Sequence, residues 1–304
     1  MRYSPIILFT YKRLAHTQKT VGSLLKNKEC CSSDLFIFSD APKTKKNIIE
    51  VENVRSFIRK INGFKSVNII EQESNKGLAD SITEGVSFII SKYGSCIVLE
   101  DDIVTSPFFL KYMNDSLKKY KDNDKIMHIN GWLPPTKTKS KSGIFISDRI
   151  TPWGWATWKR AWDKFEQDPQ KLFKELKQKK YIDRFNLDKS FNFTSSLKAN
   201  MSGLIKTWAI KWQAVVTLND GLSIFPKESL SINIGLDSSG EHSKKDKISI
   251  KPQTLSRSSI TVDKIQNLKI NRLMQEEIKN YYKSIKPNIL EKLLFIIKKR
   301  TTTK

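Results

Sequence analysis

The sequence predicts an α/β fold: a mostly parallel central sheet with helices on both faces, followed by a basic C-terminal helical tail. Three observations predict it. Apolar runs of strand length alternate with segments of helical apolar spacing through the first third of the chain. Those runs are continuous rather than alternating apolar with polar, as in strands buried on both faces. Polar or acidic residues close them, as in Ser39-Asp40 and Glu100-Asp101-Asp102, at the edge where α/β sheets bind ligands.

The elements follow in order. Ile6-Ile7-Leu8-Phe9-Thr10 predicts a buried first strand, and Leu14, Val21, Leu24 and Leu25 a helix from about Arg13 to Lys26. Leu35-Phe36-Ile37-Phe38 is a second strand, followed by a helix carrying Ile48, Val51, Val54, Ile58 and Ile61 on one side. Val67 to Ile70 is a third strand, Asn75-Lys76-Gly77 a turn, and Leu78, Ile82, Val86, Ile89 and Ile90 mark a helix. Cys96-Ile97-Val98-Leu99 is a fourth strand. Pro107 starts a helix running to about Lys121, and Ile126 to Asn130 and Ile144 to Ser147 are strand-like around a loop rich in Pro and Lys.

All seven Trp lie between Trp132 and Trp212. Trp155, Trp158 and Trp162 have i, i+3, i+7 spacing, which predicts a helical stripe facing the core. Trp153 and Trp155 flank a glycine beside Pro152 and are candidate sugar-stacking platforms. Lys171 to Tyr181 predicts a charged helix, Leu204 to Leu218 a buried one, and Leu222 to Phe225 a strand. Asn233 to Ser243 is a polar, turn-rich loop or an exit from the domain.

The organisation expected is one domain over residues 1–243, with halves meeting near 125, and a basic extension over 244–304. In that extension Lys and Arg outnumber acids about threefold. Its segment Ile285 to Arg300 joins an apolar run to basic ends, which suits a helix lying on anionic lipid, or one packed on the domain or a second subunit.

The net charge of +23 implies a polyanionic partner: nucleic acid, an acidic membrane surface or phosphorylated substrates. The basic excess lies away from the aromatic cluster and no nucleic-acid motif is present, so no nucleic-acid partner is expected. Cys30, Cys31 and Cys96 make neither a disulfide framework nor a zinc site. The apolar run Ile6 to Phe9 is too short for a signal peptide, and no stretch reaches the ~20 apolar residues of a membrane span. A cytosolic or membrane-surface location is therefore expected.

Glu100-Asp101-Asp102 carries the chemistry. Three adjacent carboxylates repel one another, so folding alone gives little reason to place them at the tip of a core strand. Mg²⁺ or Mn²⁺ would relieve that repulsion and share its remaining positions with substrate phosphates. A solvated acidic loop is the alternative.

Together, Pro5-Ile6-Ile7-Leu8-Phe9-Thr10-Tyr11-Lys12-Arg13, Ser39-Asp40, Asn75-Lys76-Gly77-Leu78, Val98-Leu99-Glu100-Asp101-Asp102, Trp153-Gly154-Trp155-Ala156-Thr157-Trp158, Trp208-Ala209-Ile210-Lys211-Trp212, Asn219-Asp220-Gly221-Leu222, Asn233-Ile234-Gly235 and Asp237-Ser238-Ser239-Gly240-Glu241-His242 resemble a nucleotide-sugar glycosyltransferase of the GT-A fold. The resemblance is to bacterial sugar transferases related to the N-acetylglucosaminyltransferase I family, and runs from Pro5 to about Ser243. It implies a GT-A, Rossmann-like sheet. It implies that Asp102 ligates Mn²⁺ or Mg²⁺, with Glu100 and Asp101 beside the donor. Thr10, Tyr11 and Arg13 would line the nucleotide pocket, Asp40 would approach the base, and Asn75 and Gly77 would belong to the donor side. Trp153, Trp155, Trp208 and His242 are the acceptor-side candidates.

The donor implied is a UDP-sugar, with UDP-N-acetylglucosamine as one choice. The acceptor implied is a glycan or lipid-linked glycan at the cytoplasmic face of the inner membrane, with the basic tail on its anionic surface. The chain departs from the family at the catalytic base: Ala209 and Ile210 follow Trp208 where the family has an Asp. Asp148, Asp237 and Glu241 are the substitutes. Two other classes remain open, a metal-dependent nucleotidyltransferase and a basic nucleic-acid- or membrane-binding scaffold without catalysis.

Overall fold

In a computed structural model the structure of residues 3–236 and 254–285 is described. The apolar runs of the N-terminal third become strands β1 (Ile6–Thr10), β2 (Asp34–Ser39), β3 (Ser66–Glu71) and β4 (Ser95–Glu100), mutually parallel in the order β3-β2-β1-β4. Helices α1 (Leu14–Leu24), α2 (Ile48–Ile58) and α3 (Leu78–Tyr93) make the crossovers. Alternate residues of β1 serve opposite faces, as the pleat requires: Ile7 and Phe9 pack with α3, Ile6 and Leu8 with α1 and α2. The fold is α/β, a mostly parallel central sheet flanked by helices in a GT-A-like, Rossmann-like arrangement with a C-terminal helix.

After β4 the chain makes a short strand β5 (Ile103–Thr105), helix α4 (Phe109–Lys119) and strands β6 (Ile126–Asn130), β7 (Ile144–Ser147) and β8 (Trp155–Trp158). Helices α5 (Lys159–Trp162), α6 (Pro169–Gln178), α7 (Ile182–Phe185), α8 (Phe193–Met201) and α9 (Ala209–Leu218) precede strands β9 (Leu222–Pro226) and β10 (Ser231–Asn233). The large sheet continues from β4 as β8-β6-β9-β7, and β10 pairs separately with β5. β8 runs antiparallel between β4 and β6, joining the two halves into one sheet.

This overturns the expected helical Trp stripe. Trp155 and Trp158 are three apart on a strand, so they point to opposite faces. Trp155 enters the layer under α3 and α9, and Trp158 the layer under α4, where its indole N–H donates to Leu117 O at 3.0 Å. A helix begins only at Lys159. The helix expected from Leu204 likewise starts at Ala209, and Leu204 is exposed.

Residues 254–285 are not a detached appendage. Ile260 and Val262 are buried against α4, and Tyr120 OH donates to Asp263 O at 2.7 Å. The backbone N–H of Asn271 donates to Ile146 O at 2.9 Å, beside edge strand β7. The helix that follows, α10 (Arg272–Ser284), buries Met274 and Ile278 in the main core.

His128, on β6, is fully buried. Its Nδ1 accepts from Trp212 Nε1–H at 3.1 Å, so its Nε2 carries the proton and donates to Thr151 O at 3.1 Å. Burial pushes its pKa down to about 3. The unfolded chain takes up this proton near pH 6.5, and the folded chain refuses it until far lower. The stabilisation is therefore complete above the unfolded pKa and is lost as the pH falls from there toward about 3. Between pH 7.5 and 5.5 it should cost about 1 kcal/mol. In denaturant titrations His128→Gln should flatten that part of the stability–pH curve; parallel curves for the two proteins would contradict this account.

Candidate active site

Parallel strands β1, β2 and β4 end at one sheet edge, and the chain turns there without extra length. Glu100 closes β4, and Asp101 and Asp102 form the turn into β5. Arg13, immediately before α1, reaches across from β1: one guanidinium nitrogen, Nη2, donates to Asp101 Oδ1 and to Asp102 Oδ2, the latter at 2.8 Å. Burial works against the Arg13 charge, but Asp101 and Asp102 outweigh it and raise the pKa. Thr20 Oγ1 donates to Asp101 O at 2.8 Å and fixes the turn from below.

One guanidinium faces three carboxylates. Burial, reinforced by Asp102 and then Asp101, pushes Glu100 up to about 8, although the Trp208 side chain hydrogen-bonds it. Burial also raises Asp101, against the pull of Arg13. Two carboxylates resisting ionisation beside a satisfied arginine describe a pocket short of positive charge.

Asp102 Oδ1 is buried and has no hydrogen-bond partner. Three buried hydroxyls at this same edge also lack partners: Thr10 at the end of β1, Ser39 at the end of β2 and Ser81 in the first turn of α3. Buried polar atoms without partners are uncommon, and several at one edge mark a place built for something else to bind. A divalent cation fits this donor set. Among the described residues no group of three or more His, Cys, Asp or Glu could hold a metal; a cation here would meet Asp102 Oδ1, the carboxylate oxygen without a partner. That suits a hard cation completing its shell with water and phosphate.

The far wall is β10 and its continuation. Ile234 N donates to Asp102 O at 2.9 Å, and Asn233 Oδ1 accepts from Gly235 N at 2.7 Å. A Cβ on Gly235 would stand 2.1 Å from Asp102 Oδ2 and 2.6 Å from Arg13 Nη1, so only glycine permits this approach.

Other expected donor-side residues are placed here in different roles. Asp40 Oδ1 accepts from Ala41 N and Lys76 N, both at 2.9 Å, and Oδ2 from Gly77 N at 2.9 Å and Asn75 Nδ2 at 3.1 Å. Four donors fill the carboxylate's capacity, so Asp40, Asn75 and Gly77 form a clamp tying β2 to the start of α3. Gly77, at φ +75°, makes the bend into that helix. Tyr11 OH donates to Asn47 Oδ1 at 3.2 Å and accepts from Lys43 N at 3.1 Å.

The aromatic candidates divide. Trp155 is fully buried and stacks with Trp208 at 4.8 Å and His128 at 5.2 Å, leaving no ring face for a sugar. Trp208, 3% exposed, has its indole turned to Glu100. Trp153 alone keeps exposed surface; it packs edge-on against Trp132 at 4.3 Å, and Trp132 meets Tyr281 of α10 at 5.8 Å. Sequence reasoning missed Trp132 and Tyr281, because only the fold brings residues 132, 153 and 281 together.

Asp148 is misplaced for a base. Ser147 pairs with Ser223, level with His128 and thus with the opposite end of β4 from Glu100. Four strand spacings separate β7 from β4, roughly 19 Å. Its carboxylate is held by Arg184 at 3.3 Å and Gln275 Nε2 at 2.7 Å, a structural latch for α10. Asp237, Glu241 and His242 lie outside the described residues, as does the apolar–basic segment from 286 onward.

No family model matches the chain, and no curated protein matches it. Among solved structures it is similar to S. aureus TarS (13% identity, TM-score 0.34, 51% of this chain and 28% of that one). It is also similar to TarS 1-349 in complex with UDP-GlcNAc (12% identity, TM-score 0.36, 53% and 46%). A third is the mannosyltransferase PcManGT from Pyrobaculum calidifontis in complex with GDP-Man and Mn²⁺ (7% identity, TM-score 0.40, 72% and 70%). The chain spans less than half of either TarS chain. At these values no residue-by-residue correspondence follows.

Gly235→Ala tests the site's closure. The added methyl should displace Asp102 or Arg13 while changing stability by no more than about 1 kcal/mol, because the segment can lift from the surface. Binding of nucleotide with Mn²⁺, measured by calorimetry, should weaken about tenfold or more. Unchanged binding would show that Gly235 does not border the ligand.

Proposed function

We propose that the chain is a metal-dependent glycosyltransferase that moves a sugar from a nucleotide-sugar donor to a hydroxyl of a growing bacterial surface glycan. The observation that carries this reading is the charge-starved carboxylate group at the end of β4, where Asp102 Oδ1 is buried and unpartnered beside Arg13. The motif series resembling GT-A transferases supports it. The donor class proposed is a UDP-sugar, with UDP-N-acetylglucosamine the first to test. The acceptor is O-antigen, capsule or lipooligosaccharide, free or lipid-linked.

The reaction breaks the bond from the sugar's anomeric carbon to the diphosphate and forms one to the acceptor oxygen. The acceptor proton passes to a base, and a nucleoside diphosphate leaves. Asp102, with Asp101 beside it, would hold Mn²⁺ or Mg²⁺, which when bound supplies Lewis-acid stabilisation of the departing diphosphate. Arg13 orients both carboxylates. The tight approach of Gly235 narrows solvent access to Asp102. Trp153 offers a face for the acceptor ring. Asp237 or Glu241 would take the proton.

No helix among the described residues is long and apolar enough to cross a membrane. Attachment through residues 286–304 at the cytoplasmic face of the inner membrane completes the proposal.

Asp102→Asn keeps the shape but removes the charge. It should cut donor turnover about a hundredfold or more and abolish the Mn²⁺-dependent rise in melting temperature with a UDP-sugar. Full activity in this variant would sink the metal assignment. Ending the chain after Ile285 should leave donor binding intact but lower partitioning onto vesicles containing anionic lipid; equal partitioning of both forms would remove the tail from the membrane reading.

A further inference from the structure

Helix α2 buries Val51, Val54 and Ile58. Its apolar run begins earlier, at Ile48 and Ile49, which are 51% and 74% exposed. Ile48 continues the helical stripe one turn past its buried part, and Ile49 lies off the stripe. Neither belongs to either core layer. Immediately before them come Lys43, Lys45 and Lys46, all exposed. Among the described residues none of these three lysines enters an ion pair. The chain carries no acid from Ala41 to Ile49, and the carboxylate of Asp40 is filled by its own four donors. Folding does not account for these charges, because cations ahead of a helix N-terminus oppose its dipole.

The segment that carries them is braced. Tyr11 OH, just past the end of β1, donates to Asn47 Oδ1 at 3.2 Å and accepts from Lys43 N at 3.1 Å. Thr44 Oγ1 donates to the same Asn47 oxygen at 3.2 Å, and Asn47 Nδ2 donates to Glu50 Oε2 at 2.9 Å. Lys12 adds a cation alongside, 5.6 Å from the centre of the Tyr11 ring. The turn follows β2, so it stands at the sheet edge where Arg13 meets Asp101 and Asp102. Leu78, after Gly77, and Leu236, after Gly235, are exposed at that same edge.

The chemistry of this surface selects its partner. Branched aliphatic side chains give nucleic-acid bases nothing to stack on, and residues 41–49 contain neither an arginine nor an aromatic. Protein interfaces are depleted in lysine at their centre. Lysines around a small aliphatic tip suit a bilayer, where the ammonium groups meet anionic headgroups and the apolar tip enters the headgroup boundary. We propose that the start of α2, through Ile48 and Ile49 with Lys43, Lys45 and Lys46, docks on the anionic surface of a lipid bilayer. This contact is separate in sequence from residues 286–304, and it turns the ligand edge of the sheet toward the lipid. Only the further consequence, that a lipid-linked acceptor meets the site there, rests on the glycosyl-transfer reading.

The test is sedimentation of the full chain with phosphatidylcholine vesicles, with and without phosphatidylglycerol, in the absence of any sugar donor. Its failure is therefore distinct from a failure of sugar transfer. The triple change Lys43→Gln, Lys45→Gln, Lys46→Gln should lower partitioning onto the anionic vesicles about tenfold or more, and the difference should shrink at high salt. The same loss of charge at Lys174, Lys177 and Lys180, in and just after α6, should lower it about threefold at most. Ile48→Ser with Ile49→Ser should lower it about fivefold or more at either salt concentration. Ile49→Ser alone, at the more exposed position, should lower it about twofold or more and leave the melting temperature unchanged. Equal losses from the two lysine triples would reduce the effect to net charge and overturn the proposal, as would unchanged partitioning in the isoleucine variants. Retention of an oligonucleotide that depends on Lys43, Lys45 and Lys46, with vesicle binding unaltered by their loss, would assign the surface to nucleic acid and refute the lipid.

Discussion

The crowding of Glu100, Asp101 and Asp102 against the single guanidinium of Arg13 is the constraint on which the rest of this structure turns. A strand buried on both faces delivers these acids to a place where water cannot fully solvate them. The fold then adds walls rather than counter-charges: β10 brings Gly235 onto Asp102, and Trp208 meets Glu100 with a neutral donor. Such an arrangement is unfavourable in isolation, and the cation and nucleotide of the proposed function would relieve it.

The aromatic residues do a different job from the one their clustering suggests. Trp155, Trp162, Trp208 and Trp212 form a continuous chain of ring contacts in the layer with α9, with centroids 4.8 to 5.7 Å apart; Trp155 and Trp208 stack and the other pairs are tilted. That layer fixes the position of Trp208 at the start of α9. Rigidity at the site is therefore set by apolar packing beneath it, and only Trp153 is left with surface to spare.

Much of the N-terminal half was legible in the sequence, because β1, β2 and β4 contain continuous apolar runs and α1 to α3 carry clear helical periodicity, whereas β3 is half-buried and interrupted by Asn68. The carboxylate turn was legible too, since its chemistry is local. What failed was periodicity over short spans: Trp155 and Trp158 fit a helix by spacing but sit on opposite faces of a four-residue strand. Asp40 and Asp148 show a second limit. A carboxylate after a strand reads alike whether it faces a ligand, four backbone and amide donors, or an arginine latch. The packing of 254–285 was masked by its lysines, which hide that Ile260, Val262, Met274 and Ile278 are sparse but fully used.

The arm formed by residues 254–285 closes the fold on two sides. Ile260 and Val262 close the layer over α4, Asn271 covers the free margin of β7, and Met274 and Ile278 seal the layer that contains the Trp stack. A chain without residues 254–285 would present two open apolar faces and a less covered margin of β7, features that invite misassembly.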